Sequence, residues 1–333
     1  MSESNRVAVV DAAGGPFQLR ELPMPAVGDT QVLVRIAASG VNPLDAKIRA
    51  GQAAHARHPL PAVLGVDMAG TVETVGRQVT QFKPGDEVFG MVGGVGGHQG
   101  TLARYIAVDA ALLARRPRTL TMRQAAVLPL VFITAWEGLV DRAGVRPGQR
   151  VLVHGGAGGV GHVAIQIARA RGAQAWATGS AAQRSVIETL GATPIDHMAT
   201  TVERYVTEQT NGEGFDVVVD TVGGATLDAS FVAARRYTGH VVSSLGWGTH
   251  SLAPLSFRGA TYSGVFTLLP LLTGEGRAHH GRILGEAARL ADEGLLAPLL
   301  DPHRFGLHEA DQAHALMTGG GARGKVAVDL GAS

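Results

Sequence analysis

The chain has 333 residues, 45% apolar and 17% charged, a length and balance that suit a soluble globular protein of two domains better than a single core. A net charge of +1 excludes the broad basic field that nucleic acid demands, and 46 glycines with no Gly-X-Y period exclude collagen while implying many tight turns. There is no cysteine, which rules out disulfides, thiolate zinc sites and cysteine nucleophiles.

The start, MSESNR, is polar and carries no apolar stretch of signal-peptide length, so a cytoplasmic protein is expected. The first third reads as short strands at 6–10, 31–38, 68–75, 87–91 and 103–108, divided by turn signals such as Ala13-Gly14-Gly15-Pro16 and Lys83-Pro84-Gly85-Asp86. That spacing predicts an irregular β-barrel or sandwich. The longest apolar-rich run, Ala125 to Trp136, contains Pro129 and is too short to span a bilayer, so no membrane partner is expected. Helices are predicted at 121–126 and 133–143. Strands and helices then alternate: strand 150–154, helix 160–171, strand 175–178, helix 180–190 closed by Gly191, and strands at 215–220 and 240–244. Alternation of this kind predicts a doubly wound parallel sheet, and apolar runs bounded by turns fit strands buried on both faces. The tail from about residue 265 mixes helices with a last strand at 325–330.

Gly156-Ala157-Gly158-Gly159-Val160-Gly161 matches G-x-G-x-x-G, directly after a predicted strand and opening a predicted helix. In that setting the first glycine permits the tight turn, the second admits a pyrophosphate to the backbone, and the third lets helix and strand pack closely. The helix N-terminus offers N–H groups and partial positive charge to the phosphates. A carboxylate about 20 residues on would bind the ribose 2′-hydroxyl of NAD. Here the second strand ends at Thr178-Gly179-Ser180, and no Asp or Glu occurs between Gly161 and Glu188. A carboxylate would repel a 2′-phosphate; its absence, with Ser180 and Arg184 at hand as donors, favours NADPH. Arg184 also reads simply as a solvated helix residue.

Several segments together resemble one family. Gly40-Val41-Asn42-Pro43-Leu44-Asp45 is similar to the G-V-N-P-x-D segment of zinc-free quinone oxidoreductases. Leu64-Gly65-Val66-Asp67-Met68-Ala69-Gly70 stands where zinc alcohol dehydrogenases carry G-H-E-x-x-G. Lys83-Pro84-Gly85-Asp86-Glu87-Val88, Thr134-Ala135-Trp136, the segment His154 to Gly161, Asp220-Thr221-Val222-Gly223 and Arg323-Gly324-Lys325-Val326 resemble further segments of the same superfamily. On these motifs the chain is identified as a member of the zinc-independent quinone oxidoreductase (zeta-crystallin-like) branch of the medium-chain dehydrogenase/reductase superfamily.

The resemblance implies an α/β protein with a barrel-like, GroES-like catalytic domain at 1–124 and 265–333. A Rossmann domain at 125–264 is inserted into it, and the nicotinamide lies in the cleft between the two. By resemblance the zinc-ligand positions hold Asn42, Val66 and, nearby, Leu130, an amide and two apolar groups that cannot hold zinc. Asp67 is then a brace for nearby backbone or a buried, hydrogen-bonded acid. His55 and His58 line the pocket or belong to an exposed turn.

The resemblance also gives the site residues. Asn42, Asp45 and Thr134 are the catalytic candidates. Asn42 stands beside the nicotinamide or is a turn residue ahead of Pro43, and Thr134 contacts the nicotinamide or caps its helix. Cofactor binding falls to Asn42, Thr134, the residues Gly156, Ala157, Gly158, Gly159, Val160 and Gly161, then Ser180, Arg184, His197, Val222, Gly223, Gly246, Phe266 and Lys325. For Phe266 a core position competes, and for Lys325 a solvated strand end. Lys47 replaces an aromatic that many quinone oxidoreductases carry, which weakens the case for stacking on a flat quinone.

The implied activity is NADPH-dependent transfer of hydride to quinones without a metal, with a small-molecule acceptor and a homodimer expected. Reduction of enone or alkenal double bonds uses the same residues and is the alternative within enzymes. A non-catalytic NADPH-binding protein is the alternative outside them.

Overall fold

The structure, a computed structural model, describes residues 4–331. The ends of the expected catalytic segment, 1–3 and 332–333, lie outside the described residues. The chain divides into two compact units, Met1–Leu130 with Leu268–Ser333, and Val131–Thr267. The divisions follow residues 130 and 267, where the sequence suggests 124 and 264.

The first unit is built on antiparallel strands. β1 (Ser4–Val10) pairs with β2 (Phe17–Pro23) on one edge and with β4 (Ala62–Val63) on the other. The longest strand, β3 (Gln31–Val41), pairs with β5 (Asp67–Val75), β7 (Tyr105–Asp109) and β16 (Val326–Asp329). The sheet continues through β6 (Glu87–Met91) and β8 (Leu113–Arg115) on one side and β15 (Phe305–Gly306) on the other. In β3 the side chains Val32, Val34 and Ile36 are buried while Arg35 is exposed, the period of two that a half-buried strand requires. Irregularities at Leu33/Val34 and Ile36/Ala38 shift its register against β5. Both β2 and β8 are absent from the sequence reading. β2 has no buried face, every residue after Phe17 being exposed, so it carries no alternation to detect.

A short helix, α1 (Pro43–Arg49), follows β3, and α2 (Met122–Ala126) is capped by Thr121, whose hydroxyl accepts from the Gln124 N–H. The tail supplies α9 (Leu269–Thr273), α10 (Arg277–Asp292) and α11 (Ala310–Thr318), and then β16, which returns to β3.

The second unit is a parallel sheet of order β11-β10-β9-β12-β13-β14. Its strands are β9 (Arg150–His154), β10 (Gln174–Gly179), β11 (Thr193–Asp196), β12 (Val217–Asp220), β13 (His240–Ser243) and β14 (Thr261–Gly264). Strand order reverses between β9 and β12, the point at which doubly wound sheets bind ligands beyond the carboxyl ends of their strands. All four residues of β12 are buried, as a strand covered on both faces must be. Covering helices include α4 (Gly159–Ala170), α5 (Arg184–Thr189), α6 (Val202–Thr210), α7 (Ala225–Ala233) and the short α8 (Ala253–Ser256). One face packs Leu152, Phe215, Val218, Phe231 and Val241 into a buried core against which Trp176 and Tyr262 rest. The helix predicted at 133–143 instead starts earlier, as α3 (Pro129–Trp136), and runs on through a π-type turn at Glu137–Arg142. Proline is tolerated in a first helical turn, so Pro129 opens α3 rather than interrupting it.

Candidate active site

The glycine loop joins β9 to α4. Of its glycines, Gly155 adopts the left-handed conformation, φ +75°, which no branched residue holds cheaply. The tight turn therefore falls on Gly155, one residue before the position expected from the motif. At Gly156 a Cβ would lie 2.5 Å from Ala177 Cβ, so this glycine lets the loop lie against β10. At Gly161 a Cβ would lie 2.1 Å from the Gly155 carbonyl oxygen and 3.0 Å from Gly156 Cα, so α4 begins in contact with the loop. Gly156 and Gly161 are buried, Gly158 is exposed, and Ala157, Gly159 and Val160 are half-buried, forming the rim. The N-terminus of α4 has Gly158 as its cap residue, no capping side chain and no acidic residue in its first turn. Bare N–H groups and uncancelled helix dipole suit a pyrophosphate, so the residues fit a dinucleotide here.

The loop is braced from below. Thr178 Oγ1 accepts from the Gly155 N–H at 3.1 Å and lies 3.3 Å from His154 Nδ1, and Thr221 Oγ1 donates to the His154 carbonyl at 2.7 Å. Burial holds the His154 imidazole down at about 4, against the opposing pull of Asp220, so the ring is neutral at physiological pH.

At the carboxyl end of β10, the His197 N–H donates to the Gly179 carbonyl at 3.2 Å, which brings His197 and Ser180 to either side of one residue. Arg184 opens α5, its side chain 58% exposed and 3.4 Å from Glu188. Ser180, Arg184 and His197 thus gather where the ribose-binding carboxylate of an NAD site would stand.

Asp220 is a functional residue that sequence reading left without a role. Buried at the end of β12, it accepts from the Val222 N–H at 3.1 Å, the Gly223 N–H at 2.9 Å and the Ser243 hydroxyl at 2.6 Å. It shapes the turn that exposes Val222 and sets Gly223 at φ +78°. An Asp ahead of Thr-x-Gly at a strand end was the available signal, since such a side chain accepts from the N–H groups of its own turn. Gly246 leaves room for the Tyr262 hydroxyl, which a Cβ would meet at 2.2 Å. Thr134 lies within α3 rather than at its cap, buried, with its hydroxyl 2.9 Å from that of Thr267. Phe266 is 36% exposed and meets Trp247 edge-on, so it stands at the surface and not in the core.

In the first unit, Asn42, Asp45, Asp67 and Lys325 converge on one buried network. Asn42 Nδ2 donates to Asp67 at 2.9 Å, and the Asn42 N–H donates to Asp45 at 2.8 Å. Lys325 Nζ donates to the Val41 carbonyl at 3.1 Å and to Asn42 Oδ1. Asp67 also accepts from the Leu130 N–H at 3.0 Å, so it both braces backbone and is hydrogen-bonded in burial. The expectation that Asn42, Asp45 and Lys325 face a ligand is corrected in this respect. Their polar groups turn toward one another, and Asn42 and Asp45 are 0% and 1% exposed. Lys325 is neither a solvated strand end nor at the surface. Burial pushes both carboxyls up to about 7 and draws the Lys325 ammonium down, while the opposite charges of Lys325 and the two aspartates resist each shift. Asp67, with two N–H donors, is the better provided anion; Asp45, with one, and with no described group reaching Oδ1, is where the proton resides.

The zinc-ligand positions fail a test of fit. Asn42 is committed to Lys325 and Asp67, Val66 is apolar and buried, and Leu130 offers an N–H that already serves Asp67. Among the described residues no group of three or more His, Asp or Glu side chains could hold a metal ion. Lys47 is exposed; His55 is half-buried, and so is His58, whose Nε2 lies 3.2 Å from the Val63 carbonyl oxygen.

Comparison with known proteins agrees with this architecture. Residues 28–118 match the family described as alcohol dehydrogenase GroES-like domain, and residues 190–328 match that described as zinc-binding dehydrogenase. The chain is 34% identical over 313 residues to an NADPH-dependent alkenal/one oxidoreductase, chloroplastic, of Arabidopsis thaliana, covering 92% of this chain and 73% of that protein. Among solved structures it is similar to an alcohol dehydrogenase superfamily protein from Novosphingobium aromaticivorans, with 59% identity, a TM-score of 0.96, and 98% and 99% of the two chains covered. It is also similar to the quinone oxidoreductase from Coxiella burnetii, with 27% identity, a TM-score of 0.82, and 98% and 99% covered. A glycine loop on a parallel sheet, an antiparallel GroES-like unit and relatives matched along nearly the whole chain lead to one conclusion: the chain belongs to the medium-chain dehydrogenase/reductase superfamily and is an NAD(P)H-dependent oxidoreductase.

Proposed function

We propose that the protein is an NADPH-dependent, metal-independent reductase of quinones. The observation that carries this reading is the pairing of two features. One is a dinucleotide loop whose neighbouring strand end offers Ser180, Arg184 and His197 in place of a carboxylate. The other is a metal-ligand position filled by a lysine-neutralised network. When bound, the nicotinamide supplies a hydride.

The chain's own groups bind and orient. The rim from Ala157 to Gly161 would hold the pyrophosphate, and Arg184, with Ser180 and His197, would meet the 2′-phosphate. Val222 and Gly223, placed by Asp220, present backbone at the switch point. The network of Asn42, Asp45, Asp67 and Lys325 holds β3, α1, α3 and β16 together in the other unit and offers no Lewis acid. An acceptor reduced here must take up hydride without a metal polarising its carbonyl, which favours conjugated carbonyls such as quinones.

A second reading, reduction of an enone double bond, is favoured by the likeness to the Arabidopsis alkenal/one oxidoreductase. The test is NADPH oxidation with benzoquinone, naphthoquinone and a simple enone after exhaustive chelation, with the products identified. Hydroquinone formed at an undiminished rate supports the proposal, a saturated ketone as sole product moves it to the second reading, and chelator-sensitive turnover refutes both. Tight NADPH binding with no turnover would mark a non-catalytic binding protein.

A further inference from the structure

Trp247 stands four residues beyond the end of β13, and Phe266 two beyond the end of β14, both at the carboxyl edge of the parallel sheet. Trp247 is 54% exposed and Phe266 36%; their ring centroids lie 6.2 Å apart at 86°, an edge-to-face pair. Exposed large aromatics at the ligand-binding edge of a doubly wound sheet are costly to leave in water and call for a partner. The platform is also held in place. The Trp247 carbonyl lies 3.2 Å from His250 Nε2, and His250 Nδ1 lies 2.8 Å from Asp228 on α7.

Position within the sheet narrows the partner. The glycine loop and the 2′-phosphate candidates sit over β9, β10 and β11, the half that takes the adenosine. The other half, β12 to β14, is left for the nicotinamide and whatever stands against it. Trp247 and Phe266 rise from that second half. We infer that Trp247, supported edge-on by Phe266, is a specificity-determining residue that selects planar conjugated ring acceptors over small acyclic ones. The inference rests on the reductase reading above and supplies, from another part of the chain, the ring contact that Lys47 does not provide.

The test compares wild type with W247A, W247F and F266L, using naphthoquinone and methyl vinyl ketone as acceptors. The KM for naphthoquinone should rise about tenfold in W247A with kcat little changed, as loss of a stacked contact predicts, and recover most of that loss in W247F. F266L should fall between them, and the KM for methyl vinyl ketone should move less than about twofold. Equal losses with both acceptors, or an unmoved naphthoquinone KM, would overturn the inference.

A binding measurement separates this test from the fate of the reductase reading. Trp136 is buried and Trp176 packs against Phe215, so Trp247 is the tryptophan whose emission a bound ring would quench. Saturable quenching by naphthoquinone on protein loaded with oxidised cofactor, lost in W247F, supports the aromatic site even if wild type turns over no acceptor. Quenching absent from wild type, or retained in W247F, overturns it.

Discussion

Replacing Lys325 by methionine is the sharpest test of the buried network. Methionine keeps the length and apolar stem of lysine but removes the charge and both donors. The Val41 carbonyl and Asn42 Oδ1 lose their partner, and the carboxyls of Asp45 and Asp67 lose the nearby cation. Removing one partner from a buried ionic group costs about 3–5 kcal/mol, because the opposite charge stays behind uncompensated. The loss depends on pH in a defined direction. Without Lys325 the carboxyls hold their protons to still higher pH in the folded state, so the variant binds more protons than wild type above about pH 7 and loses stability faster as pH rises, by up to about 1.4 kcal/mol per unit for each proton. Urea unfolding followed by circular dichroism should show a large deficit at about pH 8.5 and a much smaller one at about pH 5.5. The double variant D67N/K325M, with both charges gone, should recover much of the deficit. An equal deficit at both pH values, with no recovery in the double variant, would refute the idea that Lys325 acts by charge.

Three further outcomes follow from the same coordinates. G161A places a Cβ 2.1 Å from the Gly155 carbonyl oxygen, backbone that cannot swing aside, so NADPH affinity measured by cofactor fluorescence should fall at least about tenfold, with a stability loss of about 1–3 kcal/mol; an unchanged Kd would remove the loop from the cofactor site. R184A should weaken NADPH about tenfold while NADH changes less than about twofold, and parallel losses for both would detach Arg184 from the 2′-phosphate. Asp45 is raised from 3.8 to about 7, so the stability it contributes is full below 3.8 and is lost as pH rises through about 7. D45N lacks that dependence, and its stability relative to wild type should climb between about pH 4 and about pH 8, a flat difference being the contrary result.

The buried network also accounts for a chemical substitution within the architecture. A metal site needs acceptor atoms turned toward one point. Here the acceptors Asn42 Oδ1 and Val41 O turn toward an ammonium on the neighbouring strand, and Asp67 is consumed by two N–H groups. The cation that holds this corner together is carried by the chain itself.

The sequence by itself determined what depends on near neighbours. β9, Gly155 to Gly161 and α4 are contiguous, and the demand for small residues in that bend is written in the bend. The missing carboxylate after β10 is likewise a local fact, as are the absence of cysteine and the apolar filling of positions 66 and 130. Strands with one or two buried faces, such as β3 and β12, declare themselves by period or by apolar run, whereas β2, solvated along its length, does not. Only the tertiary structure decided the fate of Lys325. It lies 283 residues from Asn42, and nothing local distinguishes it from a solvated lysine at a strand end. Antiparallel pairing of β16 with β3 sets Val326 opposite Val41 and thereby brings Lys325 beside Asn42. The same holds for Trp247 and Phe266, which stand together because β13 and β14 are adjacent in the sheet. Local chemistry is legible one residue at a time, but a contact between distant residues exists only once hydrogen-bonded strands have set its register.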